Sequence, residues 1–99
     1  MTRVLCAEKQ TRNYEAIRLK EDASNIDKVS AWLVSKGHEN MESCLIAPGG
    51  KSLVYRMKNL EPVHLTAGGW VVDETGFGDF EAYSDGAFRE EYFIMAVYE

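Results

Sequence analysis

Ninety-nine residues, 45% of them hydrophobic, are the material of a single domain (1–99) that can build a core without metal or disulfide support. Eleven basic against sixteen acidic residues give a net charge of -5. With no Lys/Arg cluster to neutralise phosphates, nucleic acid is excluded as a partner, and no run approaches the roughly 20 apolar residues of a membrane helix.

No element is assigned before Tyr14: Val4 and Leu5 offer no apolar signal core and soon give way to polar residues. From Tyr14 to Lys20 the chain alternates, which predicts a first strand with Ile17 and Leu19 turned to the core. Glu21 to Asn25 is a polar break. Ser24 or Asn25 caps the next element, Ser24 followed by Asp27 having the spacing of an acidic capping box, and Ile26, Val29, Trp32 and Leu33 repeat at helical spacing. A helix over 25–36 follows, with Lys36 at the negative end of its dipole and Gly37 as a left-handed stop.

Residues 38–43 read as a polar connector. The runs 44–47 and 52–58 flank Pro48-Gly49-Gly50-Lys51 and predict a β-hairpin, with Leu53, Tyr55 and Met57 on the buried side of its second arm. Residues 62–66 form a further strand, and Ala67-Gly68-Gly69 turns the chain into a strand from Trp70 to Asp73, with Trp70 in the core. Residues 75–79 form a glycine-bearing turn and 80–83 the returning strand. Ser84 caps a short helical turn through Phe88, and 93–98 ends the chain as a strand or an ordered tail. The sum is an α+β fold, with one main helix packed on a mostly antiparallel sheet of about five or six short strands.

Signatures of catalysis are missing. Gly49-Gly50-Lys51-Ser52 resembles the end of a phosphate-binding loop, but Leu45 stands where the motif needs glycine, and Ser52 opens a strand instead of a helix. Gly76-Phe77-Gly78 lacks both the third glycine and the following helix of a dinucleotide fingerprint. His38 and His64 have no spacing that brings either to Cys44 as a nucleophile pair, and two histidines without supporting ligands do not make a zinc site. Cys6 and Cys44 read as reduced thiols. No cofactor, metal or enzymatic activity is expected.

Two surfaces stand out as binding candidates. Asp73, Glu74, Asp79 and Glu81 form an acidic rim around the turn that carries Phe77; this is either a solvated edge or a docking surface for a basic partner. Arg56, Lys58 and His64 share a strand face that suits a small ligand. The many aromatics after residue 69 fit a small core or an exposed interface patch, and both readings stand.

Tyr14-Glu15-Ala16-Ile17-Arg18-Leu19 with the following helix, then Gly69-Trp70-Val71-Val72, then Gly78, Phe80 and Tyr83, then Phe88 and Tyr92, occur in an order that resembles a widespread group of small bacteriophage and prophage proteins. The likeness spans about residues 14–93. Leu19 stands where that group has Trp, and no acidic residue precedes Trp70. The resemblance implies a phage accessory protein in the host cytoplasm and assigns no catalytic or binding residue. The expectation is a non-enzymatic protein that binds a host or phage protein. The rival classes are a small-molecule or nucleotide-binding module and a minor virion or assembly component; the oligomeric state is open.

Overall fold

The computed structural model describes residues 3–8, 13–76 and 78–97. Among them, β1 (Arg3–Glu8), β2 (Asn13–Arg18), β6 (Trp70–Asp73), β7 (Phe80–Tyr83) and β8 (Tyr92–Val97) form one antiparallel sheet in the order β7-β6-β2-β1-β8. A second antiparallel sheet has the order β3 (Met41–Ile46), β4 (Ser52–Met57), β5 (Val63–Thr66). The main helix is α1 (Ile26–Gly37), and α2 (Asp85–Glu91) is a short second one. The α+β class holds, with the strands divided between two sheets.

Both faces of the larger sheet are buried. On one face Ile17 and Val71 meet Val29, Trp32 and Leu33 of α1 and Leu53, Tyr55 and Leu65 of the smaller sheet. On the other, Val4, Cys6, Tyr14, Ala16, Trp70 and Val72 meet Phe88 and Tyr92. Every residue of β6 is buried, as expected of an inner strand covered on both sides. The indole of Trp70 stacks on Phe88 with ring centroids 3.9 Å apart. The aromatics are divided between the two cores: Trp32 and Tyr55 both contact Phe80, and Phe88, Tyr83 and Tyr92 form a chain of ring contacts.

The helical face of Ile26, Val29, Trp32 and Leu33 is buried as its spacing predicts. Its ends differ from expectation. No side chain caps the helix start. Asn25 is instead drawn to the end of β2, where its Nδ2 donates to the Arg18 carbonyl at 2.8 Å and its Oδ1 accepts from the Lys20 N–H at 2.9 Å. The side chain that would cap α1 thus ties the connector shut. At the other end Gly37 keeps a right-handed φ of -72°, and His38 takes the positive φ of 47°. The position is nonetheless tight, because a Cβ there would stand 3.0 Å from Met41 Cε and 3.1 Å from its Cβ, so the Met41 side chain would have to give by a few tenths of an ångström. Lys36 pairs with Glu15 of β2, anchoring the last turn of α1 to the larger sheet.

The hairpin forms around Gly49 and Gly50, both at positive φ, with its first arm starting at Met41. Ser84 caps α2 by accepting the Ala87 N–H at 3.2 Å. The unassigned N-terminal segment contains β1, which runs between β2 and β8. No helix among the described residues is long and apolar enough to cross a membrane.

Candidate protein-docking surface

The acidic rim is only partly a surface. Asp73 closes β6 with 2% exposure, and its Oδ1 accepts N–H groups from both Gly76 and Gly78 at 3.1 Å. The expected solvent-facing carboxylate is therefore a structural one. The backbone after β6 turns sharply back on itself, and a carboxylate at its root satisfies two amides that no strand partner reaches. Gly78 pins the same turn against the helix end: with φ of +89°, its Cα would place a Cβ 2.8 Å from both the Gly37 Cα and the Lys36 carbonyl oxygen. Glu74, Asp79 and Glu81 are exposed. Phe77 lies outside the described residues.

Two of the three residues of the second predicted face share one side of a sheet. The register Val54↔His64 puts Val54, Arg56 and His64 on the outer side of the smaller sheet, and Arg56 and His64 are exposed. Arg56 is already engaged, its Nε donating to the Leu60 carbonyl at 3.2 Å and lying 3.4 Å from Glu42 Oε2. Lys58 lies just past β4. It lines an open cleft of about 450 Å³ together with Asp79, Leu60 and Phe80, so the fold brings one residue of each predicted group together there.

A larger cleft, of about 560 Å³, lies between the turn at 66–69 and the start of α2. Its charged groups are committed to one another. Arg18 Nε donates to the Gly68 carbonyl at 3.2 Å, its guanidinium lies 5.9 Å from the centre of the Trp70 ring, and its Nη2 is 3.6 Å from Asp85 Oδ1. Asp85 accepts from the Trp70 indole N–H at 2.8 Å and from Arg89 Nε at 3.1 Å. The indole hydrogen bond, followed by those of Arg89, holds the Asp85 carboxyl below the usual range. This network fastens α2 to the sheet, and only His64 reaches the cleft from the predicted ligand face.

Among the described residues no three His, Cys, Asp or Glu side chains gather as a metal site requires. Cys44 has Ser30 Oγ at 3.4 Å from its sulfur, while Cys6 is buried in the second core and both thiols are free.

The sheet edges are a different matter. Edge strands present unpaired N–H and C=O groups, which proteins blunt with charge, proline or shortness. Of the four edges here, β7 is four residues long and carries Glu81; β5 is equally short and follows Pro62; β3 carries Glu42 and packs beneath α1. The fourth edge, β8, is six residues long and reads Tyr-Phe-Ile-Met-Ala-Val, with neither charge nor proline. Its one irregularity is a bulge, which leaves Met95 without a partner between the pairs Cys6↔Ile94 and Leu5↔Ala96. Tyr92 and Ile94 turn into the second core, while Phe93, Met95 and Val97 are 51%, 52% and 48% exposed.

Sequence reasoning left 93–98 as a strand or tail and missed it as a surface. The alternation was legible, but that the strand lies at an edge depends on pairing with β1, more than eighty positions away in the chain. The chain matches no protein-family model, no curated protein and no solved structure.

Proposed function

We propose that this protein is a phage accessory protein that acts in the host cytoplasm, without catalysis, by binding a host or phage protein, and that β8 is its docking element. The observation that carries the reading is the open, uncharged edge of β8 with three half-exposed apolar side chains. An acidic molecule of this size stays soluble through its charge; Val34, Leu45, Ile46 and Leu60 are also exposed, but β8 is the edge strand that combines exposed apolar side chains with no charge of its own.

The test is affinity capture from host lysate with wild-type protein and with the Phe93→Glu, Met95→Lys double variant, followed by mass spectrometry of proteins and extracted small molecules. A stoichiometric protein retained by the wild type and lost by the variant supports the reading. Equal retention by both removes β8 from it. A nucleotide carried by the wild type replaces the docking reading with that of a small-ligand module.

A further inference from the structure

We infer that the free protein covers the β8 edge with a second copy of itself: two β8 strands pair antiparallel about a two-fold axis at Phe93, and a docking protein must displace that copy. The inference rests on the protein-binding reading above and adds the regulation of its surface.

Three observations select a second copy. The first is the backbone. Among the described residues β8 pairs only with β1, so alternate N–H and C=O groups along it point away from the sheet. An antiparallel edge is its own complement, since a two-fold rotation brings the same row of groups to face itself. The regular stretch of β8 is Tyr92–Ile94, between the end of α2 and the bulge at Met95, and this places the axis at Phe93. The five strands of each copy then run on as one sheet of ten, which ends on both sides in β7, a short strand carrying Glu81. Pairing therefore stops at two copies and does not grow into a fibre.

The second is the facing of the side chains. Residues directly opposite in an antiparallel pair share a face. With the axis at Phe93, Tyr92 lies opposite Ile94 of the second copy, and both turn toward the second core. Phe93 lies opposite itself on the other face. That face is open there, because no described residue of β1 or β8 belongs to the first core beneath α1. The half-exposed Phe93 of each copy thus covers the other, with Met95 alongside.

The third is charge. β8 is uncharged; Glu90 and Glu91 lie exposed before it at the end of α2, and the pair Val4↔Val97 sets Arg3 of β1 beside its far end. Two-fold pairing turns the acidic end of each β8 toward the end of the other that Arg3 flanks, and keeps the two acidic ends apart. Each whole molecule still carries -5, so the copies repel at long range and added salt should tighten the pairing.

The experiment combines sedimentation with cysteine cross-linking, both on the intact chain. Over about 1 μM to 1 mM protein the wild type should pass from monomer to dimer, and at lower concentration in added salt. Phe93→Glu sets like charges opposite each other and should weaken the dimer about tenfold or more at an unchanged melting temperature. In a Cys44→Ser background, Phe93→Cys should form a disulfide-linked dimer on mild oxidation, because opposite Cα atoms stand about 5 Å apart. Val97→Cys should not, since its two copies lie roughly 26 Å apart at about 3.3 Å per residue. A monomer throughout, a dimer indifferent to Phe93→Glu, or equal cross-linking at 93 and 97 overturns the self-pairing. A lysate protein that sediments with the dimer intact overturns the displacement. If the protein is monomeric and its capture still depends on Phe93 and Met95, self-pairing falls and the docking reading stands. If the dimer forms as described but capture ignores those residues, the docking reading falls and the pairing stands.

Discussion

Replacing Asp73 with alanine should destabilise the fold far more than any other change on the acidic rim. Asp73 Oδ1 accepts two amides, from Gly76 and Gly78, in a position only 2% exposed. Removing the carboxylate strands both N–H groups, at about 1–3 kcal/mol each. Part of this is offset, because Oδ2 is buried without a partner and its burial is relieved. The net expectation is a loss of about 2–4 kcal/mol. For a domain of this size that lowers the melting temperature by about 10–30 °C. Asp73→Asn keeps the accepting oxygen but not the charge and should fall in between. Asp79→Ala, on the exposed part of the same rim, should change stability by less than about 0.5 kcal/mol. Urea denaturation followed by tryptophan fluorescence gives all three values, since Trp70 lies three pairs along the same strand. If Asp73→Ala unfolds within about 0.5 kcal/mol of the wild type, the carboxylate does not hold the turn, and it returns to the docking surface.

Further perturbations address the packing and the thiols. Gly78→Ala should cost more than Gly49→Ala: both residues have positive φ, but a Cβ at 78 meets backbone at 2.8 Å whereas one at 49 meets nothing within 4 Å. The difference in their unfolding free energies isolates the close approach to α1, and equal values would refute it. Leu33→Ala should cost about 2–5 kcal/mol through lost burial and the cavity left behind, read by thermal melting; a value under about 1 kcal/mol would contradict its place in the first core. Reductant should leave the melting temperature unchanged, and a thiol reagent should label Cys44 before the buried Cys6. Burial pushes the Cys6 thiol from 9.0 up to about 12. The unfolded chain therefore loses this proton first, so the thiol's contribution is whole below pH 9 and lost as pH rises toward 12. Buried Tyr55 and Tyr92, whose phenols are also pushed up, act in the same direction at higher pH. Cys6→Ala should flatten the loss of stability between pH 9 and 12, and an unchanged slope would place the effect elsewhere.

Local chemistry made much of this fold legible. The helical stripe from Ile26 to Leu33, the Pro-Gly-Gly hairpin and the Ser84 cap each involve neighbours in the sequence, and each forms where expected. What depends on distant partners was not legible. β1 has apolar residues on both faces, Val4 and Cys6 on one and Leu5 on the other, so it shows no alternation to mark it as a strand. The division into two sheets is a matter of strand order, on which periodicity is silent. Asp73 was misread because charge usually means solvent. Its spacing to Gly76 and Gly78, three and five residues on, is the signal that the turn folds back over the carboxylate. The outlying position of β8 left no trace in β8 itself.

The pairing of β1 with β8 also sets the order in which the molecule can be completed. Val4 sits opposite Val97, so β1 waits for β8, more than eighty residues downstream, before it is paired on both sides. Ile17, α1, the smaller sheet and Val71 can gather into the first core while synthesis continues. Trp70 and Cys6 gain their cover only once Phe88 and Tyr92 emerge. A nascent chain stalled before Asp85 would thus hold one finished core and one bare sheet face, and would be the form most exposed to proteases and chaperones. Closure across nearly the whole chain belongs to the slower class of folding reactions, in milliseconds to seconds.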